Sequence, residues 1–475
     1  MGRGMPRSAG RAAIAGFVGL LAAGIWSPAA GAAGREAGPV PIPEEPSRPE
    51  RTGRAIVLVE PPAEAPAAGV VAQTARVRDR IRAVLDRAEL SRELPIPEAR
   101  AVAVEPPRHE GVAAVRRALL DEPGVVAVQP EYRRSLRLIP NDPAFATPDP
   151  LAPRGDTFQW QLRDQGFERA WDESLGTGAG VAVIDTGVDG GNPDLGSRIV
   201  ATADHDGTPG NGPATVDEVG HGTHVSGLAC ATGSNGYGGA SSGFGCGLIV
   251  QKTDLSDASI AASIVDAADS GADVINMSLG GPGGSRVIEN AVDYAWKRDV
   301  VMVAAASNVN QNNQGVPARL LQPEGTGPKL KRGRGLVVTA GEYGGSRAWF
   351  RPGHGNGISL AAYGAASASA STPGIFSNFP ANPTELEEGS FREPPCQCRT
   401  SFGGDDRFAY LEGTSMAAPQ VAGAAALIRS RKPGIDAKRV IKVIKKTARG
   451  KSFQGSLGWG ILNARAALRV AVGAR

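Results

Sequence analysis

Apolar positions along the chain fall into two regimes. In the first, residues 55–60 (AIVLVE) read as a strand, and Val77, Ile81, Val84, Leu85 and Ala88 recur at helical spacing after Thr74. Residues 101–105 alternate as a second strand. Val112, Val115 and Leu119 mark another helix that stops near Gly124, and residues 125–128 form a last strand. The order βαβαβ in under 85 residues predicts a small α+β open-faced sandwich. Beyond about residue 155 the second regime begins. Short, uniformly apolar runs at 181–184, 248–252, 274–277, 300–304 and 336–339 alternate with helical stretches at 257–270, with Ile260, Ile264 and Ala268 on one side, and at 287–297. Strands without a polar face are buried on both sides, so this part predicts an α/β fold, a doubly wound, mostly parallel sheet covered by helices. Such sheets carry their sites at the carboxyl ends of the strands.

The first residues are patterned differently. Arg3, Arg7 and Arg11 precede an uncharged apolar run at 12–26, followed by Pro28, the small residues 29–33 and an Ala30-Gly31-Ala32 cleavage signature. This reads as a secretory signal peptide over 1–32. No later run of 18 or more apolar residues exists, so no membrane association is expected after its removal. Residues 33–53, rich in Pro, Glu and Arg without periodicity, read as a linker; 54–135 as the small unit; 141–475 as the large domain.

Composition narrows the partners. With 51 basic against 48 acidic residues in 475, net charge is only +3, and nucleic acid is not an expected partner. The cluster Lys329, Lys331, Arg332 and Arg334 reads as a solvated loop. An exported chain lets its four cysteines oxidise. Cys230 and Cys246 bracket a Gly/Ser loop and are the expected pair, while Cys396 and Cys398 lie in a second loop; four cysteines allow three pairings, and sequence alone does not choose among them.

Three positions carry the chemistry. Asp185 ends the run VAVID before Thr186-Gly187; alone, it would be a turn residue. His221 opens HGTHVSG, whose two histidines are three apart with no Glu after the first, unlike a zinc HExxH helix. Ser415 lies in GTSMAAPQVAG, at the start of a small-residue helix where backbone N–H groups and the helix dipole converge; alone, it would be a cap. Together, in the order Asp, His, Ser, and with NDPAF, QWQL, PDL, INMSLGGP and AAASN between and around them, they resemble the subtilisin-like serine proteases, the subtilase family, from about residue 141 to 467.

The resemblance implies that Ser415 is the nucleophile, His221 its general base and then acid, and Asp185 the group that orients the imidazole. It implies that Asn308 is the oxyanion side chain, with the Ser415 backbone N–H as second donor. Ser278, Leu279 and Gly280 resemble the strand that pairs with an extended substrate, and Ala304, Ala305, Ala306 and Ser307 the wall of the primary specificity pocket. Ser307 stands where relatives usually have Gly. No cofactor is needed for the chemistry. Asp194 matches a calcium carboxylate of relatives, although one charged ligand is thin for a hard cation, so a structural calcium is an open expectation. The small unit resembles the family's inhibitory propeptide, with residues 130–136 as the tail laid through the active site. The expectation is a secreted, extracellular serine endopeptidase made as a self-processing zymogen, acting on proteins or peptides. The alternatives are a narrow processing protease for one partner and a catalytically silent binding protein on the same fold.

Overall fold

The computed structural model describes residues 51–60, 70–87, 90, 92–106, 111–132, 138–367 and 374–473. The signal-peptide reading, most of the linker and the end of the tail at 133–136 lie outside them. Contacts divide the chain between Leu136 and Arg137 into two units.

The small unit is a four-stranded antiparallel sheet in the order β2-β3-β1-β4, formed by β1 (Arg51–Val59), β2 (Arg92–Ile96), β3 (Ala101–Val104) and β4 (Val125–Tyr132). Helices α1 (Val70–Arg87) and α2 (Val112–Leu119) supply Val77, Ile81, Val84, Leu85, Val115 and Leu119 to one core with Ala55, Val57 and Val104. Two expectations need correction. β1 begins at Arg51, so residues 51–53 belong to the sheet and not to a linker. β2 is an additional strand, which makes the order βαββαβ; Pro95 within it and Pro97 after it hide its pattern, and its place at the sheet edge tolerates a residue that cannot donate.

The large unit is built on seven parallel strands in the order β11-β10-β9-β8-β5-β7-β6. These are β5 (Gly180–Asp185), β6 (Ile199–His205), β7 (Gly247–Thr253), β8 (Val274–Met277), β9 (Val301–Ala305), β10 (Gly335–Gly341) and β11 (Leu360–Tyr363). Alternate side chains feed two cores. Val181, Val183, Val250, Val303 and Val338 enter the core shared with α3 (His221–Cys230) and α6 (Thr414–Arg431). Ala182, Ile184, Ile275, Met277 and Met302 pack instead on α4 (Asp257–Asp269) and α5 (Arg286–Lys297). The helices α7 (Ala437–Thr447) and α8 (Ala464–Val472) complete the first layer. β6 and β11 escape the apolar-run reading. β6 alternates intermediate and exposed residues at the sheet edge, and β11 is only LAAY.

A separate antiparallel sheet, order β12-β14-β13, comes from β12 (Ile375–Asn378), β13 (Arg399–Phe402) and β14 (Asp405–Leu411). It sits on α3: the His224 Nε2–H faces the carbonyls of Ile375 (3.0 Å) and Ala409 (3.2 Å). Burial, then the neighbouring His221, pushes the His224 pKa down to about 3, so this ring is neutral and structural.

Cys230, the last residue of α3, is joined to Cys246, with Cα atoms 5.5 Å apart, and Cys396 is joined to Cys398. The first bridge closes a separation of 16 residues. Replacing both cysteines by alanine is expected to lower unfolding free energy by about 3 kcal/mol, read from urea midpoints under non-reducing conditions. An unchanged midpoint would show that the loop is held without the bridge.

Candidate active site

Between β5 and β8 the strand order reverses direction: the chain moves from β5 out to β6, back to β7, and then to β8 on the other flank of β5. A crevice outside the carboxyl ends opens at such a point. Asp185 is the last residue of β5, 2 % exposed, and its Oδ1 accepts the Thr186 N–H at 2.9 Å and faces His221 Nδ1 at 2.7 Å. His221 is the first residue of α3. The approach is close enough that two glycines are obligatory. A Cβ on Gly222 would lie 2.1 Å from the Gly187 carbonyl oxygen, and one on Gly187, whose φ is +110°, would lie 2.4 Å from that of Val216.

The electrostatics suit a base. Burial lowers the His221 pKa, but the charge and hydrogen bond of Asp185, then the charge of Asp217, outweigh it, so the net direction is upward from the ordinary histidine value. With the Asp185 carboxylate as acceptor, the neutral His221 ring carries its proton on Nδ1 and donates it in this hydrogen bond, which leaves Nε2 as the acceptor.

Ser415 is the second residue of α6, after the unusual Gly413 (φ +147°). Its Oγ donates to the Ser278 carbonyl at 3.0 Å, and Ser278 Oγ donates back to the Ser415 carbonyl at 2.8 Å. The second bond has a sequence cause. Pro419 is four residues on and has no N–H, so the Ser415 carbonyl lacks its helical donor and the Ser278 hydroxyl supplies one. In this rotamer the hydroxyl rests on Ser278 rather than on His221; a turn about χ1 is what engages the base.

Asn308 follows β9 and is exposed. Its Oδ1 accepts from the Thr414 N–H (2.9 Å) and hydroxyl (3.0 Å), and the same hydroxyl reaches the Ala306 carbonyl (2.6 Å). With its oxygen occupied, Asn308 has only Nδ2 to offer to the site. The Ser415 N–H, in the first turn, has no intrahelical acceptor.

The groove residues follow the same strand ends. Ala304 and Ala305 end β9, Ala306 bonds across to the Val338 carbonyl (2.9 Å), and Ser307 leaves the sheet. Ser307 is spanned by Gln314, whose Oε1 accepts the Ser307 N–H (3.2 Å). Leu279 and Gly280 leave β8 half-buried and exposed, with no backbone hydrogen bond to the described residues, before Gly281 bridges to Val316. They form an edge that an extended chain can pair with.

Asp194 lies apart from this crevice. Its carboxylate accepts from the amides of Asn235 (2.8 Å) and Asn378 (2.9 Å), and burial pushes its pKa up to about 6. Asp142 nearby accepts the N–H groups of Ser234 (2.7 Å) and Asn235 (3.1 Å). Both carboxylates accept N–H donors in this arrangement, and no step of the chemistry runs through a metal.

Sequence reasoning missed Asp217, Thr186 and Thr414, whose hydrogen bonds brace the end of β5, the start of α3 and the Asn308 side chain. Asp217, four residues before His221, carries no pattern of its own; Pro419 inside α6 is a sequence signal that went unread.

A strand-end carboxylate bonded to an imidazole, a helix-start serine and a side-chain amide tied to that helix, on a parallel sheet, are the parts that a serine hydrolase uses. The comparisons with known proteins agree. The chain belongs to the subtilase family, whose model matches residues 176–460. It is 30 % identical to thermitase of Thermoactinomyces vulgaris over 317 residues, covering 65 % of this chain and 91 % of thermitase. It is also 30 % identical to fervidolysin of Fervidobacterium pennivorans over 386 residues, 73 % of this chain and 50 % of that protein. Among solved structures, a protease from Pseudoalteromonas arctica PAMC 21717 superposes with a TM-score of 0.53 at 29 % identity, covering 69 % of this chain and all of that one. The chain is a serine endopeptidase.

Proposed function

We propose that the protein is a secreted endopeptidase, made as a self-processing zymogen, that cleaves extended protein or peptide segments through an acyl-enzyme on Ser415. The observation that carries the reading is the 2.7 Å Asp185–His221 contact at the carboxyl end of β5, together with the Thr414 bonds that tie Asn308 to the start of the helix bearing Ser415. His221 takes the Ser415 proton as the oxygen attacks the carbonyl, and the imidazolium formed is held by Asp185. The oxyanion meets Asn308 Nδ2 and the Ser415 N–H. His221 then returns the proton to the leaving amine, and water repeats the sequence to free the acid. Backbone pairing along Leu279 and Gly280 favours broad selectivity.

The small sheet unit is the propeptide in this reading, the segment 130–136 its tail, and 1–32 the signal peptide. Casein clearing by culture supernatant, abolished by a sulfonyl fluoride, together with mature N-termini near residues 132–138, is the expected outcome. A supernatant inert toward casein, or a single N-terminus before residue 54, would contradict it.

The pH profile follows from the raised His221 pKa. Only neutral imidazole accepts the proton, so kcat/KM should fall with acidification at a midpoint above the ordinary value of about 6.5. The sign for stability is opposite. A folded-state pKa raised above the unfolded one contributes stability that is full below the unfolded pKa and is lost as pH rises through the folded one. Mild acid should therefore remove activity without this pair weakening the fold. An acid limb below 6 in the pH–rate profile would contradict the assignment.

A further inference from the structure

We propose that Asp217 is a positioning residue for this reaction: a second buried carboxylate that locks the strand end bearing Asp185 to the helix start bearing His221 and holds negative charge at that helix start. The inference rests on the triad reading above.

Asp217 is 5 % exposed and accepts four hydrogen bonds. Its Oδ1 takes the Thr186 hydroxyl (2.8 Å) and the Gly220 N–H (2.8 Å), and its Oδ2 takes the Thr223 N–H (2.8 Å) and hydroxyl (2.6 Å). Gly220 and Thr223 flank His221 on either side, and Thr186 directly follows Asp185. The Thr186 oxygen in turn accepts the Gly222 N–H at 2.9 Å. One carboxylate and one hydroxyl therefore satisfy backbone donors of the first turn of α3 that would otherwise have no acceptor, and bind them to the end of β5. A negative group at a helix start is also favoured by the helix dipole.

The segment bearing Asp217 is itself anchored. Lys252, which pairs with Asp185 in the sheet register, donates to the carbonyls of Gly212 (2.9 Å) and Val216 (3.1 Å) and to Glu218 (2.6 Å). The charged groups around Asp217 are thus Glu218, Asp206 and Lys252, with Glu385 bonded through its N–H to the Glu218 carbonyl at 2.8 Å. Those acting on His221 are Asp185 from β5 and Asp217 from its loop, with the neutral His224 on its own helix. Burial pushes the Asp217 pKa up, and the four donors oppose this by favouring the carboxylate.

Two variants separate charge from geometry. Asp217→Asn removes the charge, and the His221 pKa should drop by about half a unit or more. Thr186→Val keeps that charge and cuts the link; kcat should fall roughly 10- to 100-fold with KM little changed, and Thr186→Ser, which restores the hydroxyl, should recover most of the loss. The pKa is read by NMR titration of the His221 ring in a Ser415→Ala background, so it reports on positioning whether or not the parent cleaves casein. Kinetic constants come from the active forms. A His221 pKa identical in Asp217→Asn and its parent overturns the proposal. So does an undiminished kcat in Thr186→Val, which decides the matter alone if Asp217→Asn does not fold.

Discussion

Ser415→Ala is expected to fold as the parent does and to lose roughly six orders of magnitude in kcat. The substitution removes one oxygen from a half-buried position where it donates to the Ser278 carbonyl at 3.0 Å. Ser278 is buried, so its carbonyl loses one neutral hydrogen bond at an expected cost of about 1 kcal/mol, a small shift in thermal unfolding. The chemistry has no substitute nucleophile at the Asp185–His221 pair. If maturation is intramolecular, the same variant should persist as the long form after signal removal, because a tail tethered to its own groove is cut at high effective concentration only by its own serine. Cleavage of the variant near residues 132–138 in a protease-deficient host would refute self-processing. Casein hydrolysis at the parental rate would refute the nucleophile.

Asn308→Leu is the second large effect. It keeps the side chain's bulk but removes the Nδ2 donor and the oxygen that holds Thr414. A lost oxyanion donor of this kind costs about 2.7 to 4 kcal/mol, or roughly 10² to 10³ in kcat, a range established on subtilisin itself. Because the donor acts on charge that develops in the transition state, KM should stay nearly constant. A rise in KM with kcat preserved would mean that Asn308 binds the ground state instead.

Much of the large unit was legible because its parallel strands are buried on both faces. Val274–Met277 is read to the residue, and Gly180–Asp185 and Gly247–Thr253 only gain a residue or two at their ends. What escaped has physical reasons. β6 is a half-exposed edge, β2 is crossed by proline, and the three-stranded sheet depends on pairings such as Ile375 with Leu411 that join segments 36 apart in sequence. At the site, long motifs marked Asp185, His221, Asn308 and Ser415. The residues that aim them, Thr414 on Asn308 and Asp217 through Thr186, were silent because a single hydroxyl or carboxylate has no periodicity, and its role exists only once β5, α3 and α6 converge.

The most direct test of the central claim is intact-mass and peptide mapping of the mature protein after a sulfonyl fluoride. The account predicts one covalent adduct, on the peptide containing Ser415, formed more slowly as pH falls through the raised His221 pKa and absent from Ser415→Ala. An adduct on another residue, or proteolysis that continues with Ser415 unlabelled, would contradict it.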